Sequence, residues 1–374
     1  MDLSNLSILL RAFQSLGWQN LVMLGVGGVL IFLAVKYEFE PNLLLPIGFG
    51  AILANLPLTG ITEEGGFLKI LYDVGISTEL FPLFIFIGIG AMTDFGPLLE
   101  NPRMALLGAA GQIGIFVTLL LALLVGFPLN EAASMGIIGA IDGPTAIYVS
   151  SKLAPHLLPA ITVTAYSYMS LVPIIQPPII RLLTSKKERQ IRMPYSQKPV
   201  SRVVRVLFPI VVTVLVSLIA PKASPLISTL MYGNLIRESG VLERLSKSAQ
   251  NELTNLVTLF LGLVIGSTME GQAFLKVQTL AILGLGLLAF CMDTAGGVLF
   301  GKLMNAASGG KFNPVIGAAG ISAFPMAARI VQRVVAEEDF ENFVLMHAMG
   351  ANAAGQLGSV VAGGVVLAVL AGVL

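Results

Sequence analysis

One carboxylate stands out because it lies inside an apolar run. Asp142 falls within the mostly apolar stretch 136–168 and is followed at once by Gly143 and Pro144. An ionised carboxylate at the centre of a bilayer costs about 2.5–3.5 kcal/mol on insertion scales, so such residues usually have a task. Gly and Pro interrupt a helix, and membrane proteins tolerate the break where the broken segment lines a cavity. Asp142 is therefore the first candidate functional residue.

A second interrupted stretch lies near the end of the chain, over residues 313–359. It carries the hydroxyl of Ser322, the guanidinium of Arg329 and the amide of Asn352 in a glycine-rich apolar setting, with Pro325 as the break. Hard cations prefer oxygen ligands, which carboxylates, hydroxyls, amides and released carbonyls all provide. We predict that the two stretches meet at mid-membrane and form one sodium site. The predicted ligands are Asp142, Thr145, Asn313, Gly317, Ser322 and Asn352, with Tyr168 as a further hydroxyl.

Plainer interpretations stay open for several of these residues. A hydroxyl such as that of Thr145 or Ser322 also occurs bonded back to a carbonyl of its own helix, and Asn352 also suits an interhelical amide bond among small residues. Asp293 either belongs to the ion path or forms a structural pair. Arg329 either faces a cytoplasmic cavity, where it could bind a carboxylate through two hydrogen bonds, or extends to the cytoplasmic surface.

The composition is that of a polytopic membrane protein. Of the 374 residues, 55% are hydrophobic and 11% charged, whereas a soluble domain carries about 25% charged residues. Forty glycines and twenty prolines in so apolar a chain indicate close helix packing and interrupted helices. The lone cysteine, Cys291, excludes an internal disulfide and a thiolate cage for a transition metal.

The apolar segments divide into two halves with the same rhythm. Residues 89–108 align without gaps on residues 265–284, at an offset of 176, and residues 54–56 resemble 233–235 at an offset of 179. The predicted spans are 18–35, 42–57, 80–98, 104–127 and 160–183, then 206–219, 225–236, 253–269, 280–300 and 343–374. The predicted organisation is an interfacial amphipathic helix over 1–16, a first repeat over 17–183, a basic loop over 184–205 and a second repeat over 206–374.

The charges of the loops predict how the chain is oriented. The loop 184–205 holds Lys186, Lys187, Arg189, Arg192, Lys198, Arg202 and Arg205 against Glu188, and the positive-inside rule places such a loop in the cytoplasm. Five crossings per half, an odd number, invert one half relative to the other. We therefore predict an all-α polytopic fold of two inverted repeats, each with about five transmembrane helices and a broken re-entrant hairpin. Such a fold is typical of secondary transporters, and we expect an elevator-type core and scaffold.

Four blocks of the sequence, in this order, resemble one known family. They are GIIGAIDGPTAIYVSSKLAP, AYSYMSLVPIIQPPIIRLLT, NPVIGAAGISAFPMAARIVQ and HAMGANAAGQLGSVVAGG. Together they are similar to the membrane-embedded β subunit of the biotin-dependent, sodium-pumping decarboxylases, which act on oxaloacetate, methylmalonyl-CoA or glutaconyl-CoA. The resemblance covers essentially the whole chain. It implies that the β subunit decarboxylates carboxybiotin from a partner carrier while a proton enters from outside and sodium moves outward.

The resemblance also implies roles for individual residues. The family's essential aspartate corresponds to Asp142, and its tyrosine in the SYM block to Tyr168, which we expect to relay a proton. Arg329 is the candidate to hold the carboxylate of carboxybiotin. Matching residues of the last two blocks are Asn313, Gly317, Ser322, Arg329 and Asn352.

The resemblance further implies the setting in which the chain works. The implied partners are a carboxyltransferase subunit, a biotin carrier protein and a small membrane-anchoring subunit, with a homo-oligomer such as a trimer. The implied location is the bacterial cytoplasmic membrane, and the implied cofactors are Na+ and carboxybiotin, with the biotin attached to another chain.

Two other classes of function also fit parts of the pattern. A sodium-coupled carboxylate transporter or a Na+/H+ antiporter shares inverted repeats and an intramembrane aspartate, and it would move ions without carboxybiotin. A purely structural membrane scaffold would tolerate the loss of Asp142.

Overall fold

The computed structural model describes residues 11, 13–38, 41–194 and 200–370, and within these ranges the regular structure is helical, without strands. The helices are α1 Trp18–Tyr37, α2 Pro41–Ala54, α3 Phe67–Tyr72, α4 Leu80–Met92, α5 Gly96–Glu100, α6 Met104–Ala110, α7 Ile113–Val125, α8 Leu129–Gly136, α9 Gly143–Leu153, α10 Leu158–Leu183, α11 Lys186–Arg189, α12 Arg202–Ile219, α13 Ser224–Ser239, α14 Glu243–Ser248, α15 Thr254–Ser267, α16 Gly271–Phe274, α17 Val277–Ala307, α18 Met326–Ala336 and α19 Leu345–Leu370. Turns of 3₁₀ helix lie at Ile137–Ala140, Pro155–Leu157, Pro221–Ala223 and Pro314–Gly320, and π-helical turns at Asp73–Ser77 and Ala249–Leu253.

Several of these helices are long and apolar enough to cross a membrane. Five qualify as single spans, namely α1, α6 together with α7, α12, α17 and α19. Two bent pairs qualify as broken spans: Phe67–Ser77 with α4, at 61°, and the two parts of Pro155–Leu183, at 64°. A further helix, α2, is apolar but shorter. These findings confirm the prediction of an all-α polytopic membrane protein.

Three predicted segments differ in detail from the structure. The helix expected over 104–127 is interrupted at Gly111 and Gln112, between α6 and α7. The span expected over 80–98 ends at Met92, where Thr93 bonds back to the carbonyl of Ile89 at 2.7 Å, and the helix over Phe67–Ser77 was not predicted. Polar residues, Asp94 and Gln112, lie at or next to the two breaks, but the predicted spans run through them. The predicted interfacial helix, 1–16, lies largely outside the described residues, as does the last part of the predicted span 343–374.

Glycines let two pairs of helices cross with their backbones almost in contact. Where α2 meets α15, a Cβ on Gly50 would lie 2.3 Å from the carbonyl oxygen of Leu263. Where α13 meets α4, a Cβ on Gly233 would lie 1.9 Å from that of Ile87. Each crossing joins a helix of the first half to a helix of the second, so the halves are interleaved.

The partner helix of each crossing also contributes a glycine. A Cβ on Gly266, in α15, would lie 2.1 Å from the carbonyl oxygen of Ile47. A Cβ on Gly90, in α4, would lie 1.8 Å from that of Leu230. Close approach of this kind is the usual way in which membrane helices gain packing energy, because lipid offers no hydrophobic driving force between them.

One end of the bundle, here called the basic face, carries a network of ion pairs. Arg189 pairs with Glu338 at 2.6 Å and Arg192 with Asp339 at 2.7 Å, which ties the segment after α10 to the segment after α18. Hydrogen bonds from the two arginines lower the pKa of both carboxyl groups. Because these pKa values are lowered on folding, the pairs stabilise the protein above the unfolded pKa, near 4, and lose that effect as the pH falls below it.

The basic face continues around the ends of α4 and α13. Asp94 lies 3.6 Å from Arg205 and 3.4 Å from Arg237. At the opposite face Lys152 pairs with Glu79 at 2.5 Å and His156 lies 3.0 Å from Glu131. Helix α10 runs from one face to the other.

The glycine crossings predict the effect of adding one methyl group. Gly90→Ala should lower the stability of the protein by roughly 1–3 kcal/mol, because the new Cβ would overlap the carbonyl of Leu230. Gly284→Ala, at a position in α17 with no atom within 4 Å of the added Cβ, should be neutral or slightly stabilising. Thermal unfolding in detergent measures both, and equal midpoints for the two variants would contradict the proposed packing.

Candidate functional site

Asp142 lies at a break between two helices. After α8 ends, the chain passes through the 3₁₀ turn Ile137–Ala140, and Ile141 takes a left-handed conformation with φ of 52°. Asp142 is extended and α9 begins at Gly143. A β-branched residue in the left-handed region is strained by about 1–3 kcal/mol, and such residues concentrate at functional sites. The break predicted from Gly143 and Pro144 is confirmed.

Three neutral donors converge on one oxygen of Asp142. Its Oδ2 accepts hydrogen bonds from Thr145 Oγ1 at 2.8 Å, Gln356 Nε2 at 3.0 Å and Ser359 Oγ at 2.6 Å. The residue is 3% exposed, and no Lys, Arg or His of the described chain forms an ion pair with it. The carboxylate is therefore stabilised by dipoles, and the site can accept a cation without first displacing one.

Sequence reasoning missed Gln356 and Ser359. Both lie on α19, and together with Asn352 they follow the spacing i, i+4, i+7, which places them on one face of a helix. The sequence alone predicts this polar face of the helix. It does not predict that the face is turned toward Asp142, more than 200 residues earlier in the chain.

The second interrupted segment is fastened to the same helix. Its 3₁₀ turn Pro314–Gly320 leads into an extended tip, where Ser322 Oγ donates to the carbonyl of Gly355 at 2.9 Å. Asn352 Nδ2 donates to the carbonyl of Ile321 at 2.7 Å. A Cβ on Gly355 would lie 2.3 Å from the carbonyl oxygen of Gly320. The tip can approach α19 this closely because glycine has no side chain.

The two tips meet at one cavity. It has a volume of about 340 Å³, and its lining includes Asp142 and Gly143 from the first break, Ser322 and Pro325 from the second, and Gln356 from α19. The prediction that the two stretches meet is confirmed.

The cavity extends toward the basic face. Its lining includes Asn42, at the start of α2, Met92, at the end of α4, and Thr254, at the start of α15. Met92 stands two residues before Asp94, which pairs with the arginines of that face. Asp142 is therefore reached from the basic face.

Tyr168 does not face the cavity. Its hydroxyl donates to the carbonyl of Leu283, in α17, at 2.6 Å. Tyr166 lines the cavity in its place, with its ring against Gly143. Residues two apart on a helix point to nearly opposite sides, so only one of these tyrosines can face Asp142.

Asn313 and Gly317 also lie away from Asp142. Asn313 Nδ2 donates to the carbonyls of Arg189 and Ile191, at 3.1 and 2.9 Å, and its Oδ1 accepts from the amide of Val315. A Cβ on Gly317 would lie 1.9 Å from the carbonyl oxygen of Gly297. Both residues hold the turn Pro314–Gly320 in place, one at the basic face and one against α17.

Arg329 and Asp293 differ sharply in exposure. Arg329 is exposed, one helical turn beyond the cavity-lining Met326, and forms no ion pair with a described residue. Asp293 is fully buried, and it accepts a hydrogen bond from the amide of Gly114 at the start of α7. A carboxylate at a helix N-terminus satisfies amides that lack an intrahelical partner, so a structural role accounts for this contact.

Comparison with known proteins places the chain in a family. A family model described as the Na+-transporting oxaloacetate decarboxylase beta subunit matches residues 19–370. The chain belongs to this family of decarboxylase beta subunits. It is thus a subunit of a sodium-transporting, biotin-dependent, multi-subunit decarboxylase, as the four sequence blocks predicted.

Individual relatives of the family are similar over nearly their whole length. The glutaconyl-CoA decarboxylase subunit beta of Acidaminococcus fermentans is 55% identical over 360 residues, covering 96% of each chain. The methylmalonyl-CoA decarboxylase subunit beta of Veillonella parvula is 55% identical over 351 residues, covering 94% of this chain and 93% of that protein. The oxaloacetate decarboxylase beta chain of Klebsiella pneumoniae is 48% identical over 413 residues, covering 94% of this chain and 95% of that protein.

The hydrogen bonds at Asp142 predict the effect of removing one donor. Ser359→Ala should raise the sodium concentration for half-maximal decarboxylation by about ten-fold or more, because a hydrogen bond to a charged group contributes about 1.5–3 kcal/mol. The ionised carboxylate, the form that binds a cation, loses that stabilisation. Sodium titration of the assembled complex measures the change. Ser228→Ala, at a hydroxyl bonded to the carbonyl of Pro225 on its own helix, is the control and should match the wild type; an unchanged Ser359→Ala would contradict the role of this donor.

Proposed function

We propose that this chain decarboxylates carboxybiotin, presented by a partner biotin carrier, and couples the reaction and the uptake of a proton to the outward movement of sodium. The observation that carries the proposal is a buried carboxylate, Asp142, at a helix break in a cavity that extends to the basic face. Family membership supports the same conclusion. A soluble carrier needs such an opening on its own side of the membrane.

In this proposal sodium binds between the two tips. Asp142 supplies the negative charge. The hydroxyls of Thr145 and Ser322 and the polar side chains of α19 surround the ion. Asn352 holds the carbonyl of Ile321 in place through a hydrogen bond. These are hard oxygen groups of the kind that Na+ accepts. Residues Asn313 and Gly317 act on the site from a distance, by holding the turn that carries the second tip.

The chemical step consumes one proton. The bond between the ureido nitrogen and the carboxylate carbon breaks, CO2 leaves, and the nitrogen takes a proton. One carboxylate cannot hold a sodium ion and a proton together at full affinity, so a proton that reaches Asp142 displaces sodium. Tyr168 is the proposed relay, and in that role it has to leave its bond to Leu283 and turn toward the cavity that Tyr166 lines in this structure. Arg329, exposed and without an ion-pair partner among the described residues, is the proposed contact for the carboxylate of carboxybiotin.

We also propose that the fold is built from two inverted repeats that work as a core and a scaffold. The reciprocal glycine contacts support this. In the two crossings, Gly50 and Ile47 of α2 occupy the positions that Gly233 and Leu230 occupy in α13, at an offset of 183. Gly90 of α4 likewise corresponds to Gly266 of α15, at the offset of 176. The two π-helical turns, Asp73–Ser77 and Ala249–Leu253, are again 176 apart. Residues 47–50 of α2 thus follow an offset of 183, whereas Asn55 and Asn234, which donate to the carbonyls of Met269 and Thr93, keep the offset of 179 inferred from the sequence.

The proposed setting is the bacterial cytoplasmic membrane, with the basic face in the cytoplasm. The clustering of arginines at one end of the bundle supports that orientation. The proposed partners are a carboxyltransferase subunit, the biotin carrier and a small membrane-anchoring subunit. Large apolar side chains on α12, such as Leu218 and Ile219, are 75% and 80% exposed, which suits contact with lipid, with an anchoring subunit or with further copies in a trimer.

Replacing Asp142 tests the proposal. Asp142→Asn keeps the shape of the side chain and removes its charge, and it should reduce sodium-dependent decarboxylation of carboxybiotin by at least about 100-fold, since the ion loses the formal counter-charge that Asp142 supplies among the described residues that line the cavity. The readout is CO2 release with and without sodium in membranes that contain the assembled complex. Asp73→Asn, at an exposed carboxylate paired with Lys69, is the control.

Two results would contradict the proposal. One is full sodium-dependent activity in Asp142→Asn. The other is sodium flux through the wild-type chain in liposomes without any carboxybiotin, as a secondary carboxylate transporter or an antiporter would give.

A further inference from the structure

The cavity has polar groups on a wall that the proposed sodium site does not use. Asn255 and Thr258 line it from α15, whereas Asp142, Ser322 and Gln356 line it from the interrupted segments and α19. Asn255 and Thr258 are three residues apart, so they lie on the same face of the helix. One side of the cavity therefore presents an amide and a hydroxyl, one helical turn apart.

These two side chains are uncommitted within the described structure. Neither forms a side-chain hydrogen bond with a described residue. The neighbouring Thr254 differs, because its hydroxyl donates to the carbonyl of Ala249 at 2.8 Å. Asn251, one turn earlier, likewise donates to the carbonyl of Lys247 at 2.9 Å. The amide of Asn255 and the hydroxyl of Thr258 are thus available to a molecule in the cavity.

Apolar side chains lie beside these two residues. Ile89 and Met92 from α4, and Met326 from α18, line the same space. A volume of about 340 Å³ is within the range of small-molecule pockets, which combine an apolar lining with a few polar groups that fix orientation. The matching ligand is a compact, largely apolar ring system with one planar donor and acceptor group.

We propose that Asn255 and Thr258 bind the ureido ring of biotin and so hold carboxybiotin in the cavity that Asp142 lines. A cyclic urea offers a carbonyl acceptor and an N–H donor in one plane, and a primary amide offers the complementary pair. The sulfur-containing ring then packs against the apolar side chains. This inference rests on the proposed function and adds to it the part of the substrate that α15 recognises.

The ureido ring is present in both substrate and product, so binding it is expected to act on affinity. Uniform binding of that kind changes KM and product inhibition and leaves kcat unchanged. A group that only supported the fold, or that acted on the sodium site, would alter kcat or the sodium requirement instead. The two roles can therefore be separated by kinetics.

The test uses the assembled complex in membranes, with free carboxybiotin as substrate and free biotin as inhibitor. Asn255→Leu and the isosteric Thr258→Val should each raise KM for carboxybiotin by roughly 2- to 10-fold, the loss expected for one neutral hydrogen bond. The inhibition constant of biotin should rise by the same factor, while kcat and the sodium concentration for half-maximal rate stay at wild-type values. Asn251→Leu, outside the cavity on the preceding turn, is the matched control and should change none of these.

The outcomes separate this inference from the function on which it rests. Unchanged KM and biotin inhibition in both variants, with an active wild type, would overturn the ureido assignment alone. A wild-type complex that leaves free carboxybiotin intact would overturn the proposed function and this assignment with it.

Discussion

Backbone that leaves the helical state inside a membrane must find its hydrogen-bond partners within the protein. Lipid supplies none, and each unsatisfied group costs several kcal/mol. In this chain α19 provides a partner for the backbone of the second interrupted segment and side-chain donors for Asp142 in the first. Asn352 donates a hydrogen bond to the carbonyl of Ile321, and Ser322 donates one to the carbonyl of Gly355. The two tips are held at one depth because they are bound to neighbouring turns of a single helix.

The same helix determines how the charge of Asp142 is balanced. Gln356 and Ser359 donate to it as neutral groups, whereas the ion pairs described above lie at the two ends of the bundle. A fixed arginine or lysine beside Asp142 would repel an incoming cation, and its removal would leave a buried carboxylate uncompensated. Dipoles stabilise the carboxylate but leave its net negative charge in place. An ion carrier needs that combination, because its ligand must both enter and leave.

Some of this site could be predicted from the sequence because the physics is local. The cost of Asp142 in an apolar run, and the helix-breaking effect of Gly143 and Pro144, are properties of a few adjacent residues. The choice between Tyr166 and Tyr168 is not local. Both are suitable hydroxyls, and only the rotation of α10 about its axis decides which one faces the cavity.

Long-range contacts account for the other differences. Asn313 has the composition of a ligand, but the carbonyls it binds belong to the loop at the basic face, well over 100 residues earlier in the chain. The interruption at Gly111 and Gln112 likewise depends on a distant contact. Gln112 Nε2 donates to the carbonyl of Gly355 at 3.3 Å, a partner that hydropathy does not reveal. Periodicity indicates that a polar residue is costly, but its partner comes from the fold.

Helices α12 and α19 differ greatly in how much of their surface the protein itself covers. In the most apolar 18 residues of each, 6% of α12 is buried and 67% of α19. Exchanging one aliphatic side chain for another on α12 changes only the outer surface of the protein. On α19 a single added carbon at Gly355 or Gly364 would displace the backbone at Gly320 or Ala223. Substitutions on α12 should therefore cost little, while the buried positions of α19 should accept few without a loss of stability. The helix that holds the site together is thus also the helix with the least tolerance for substitution.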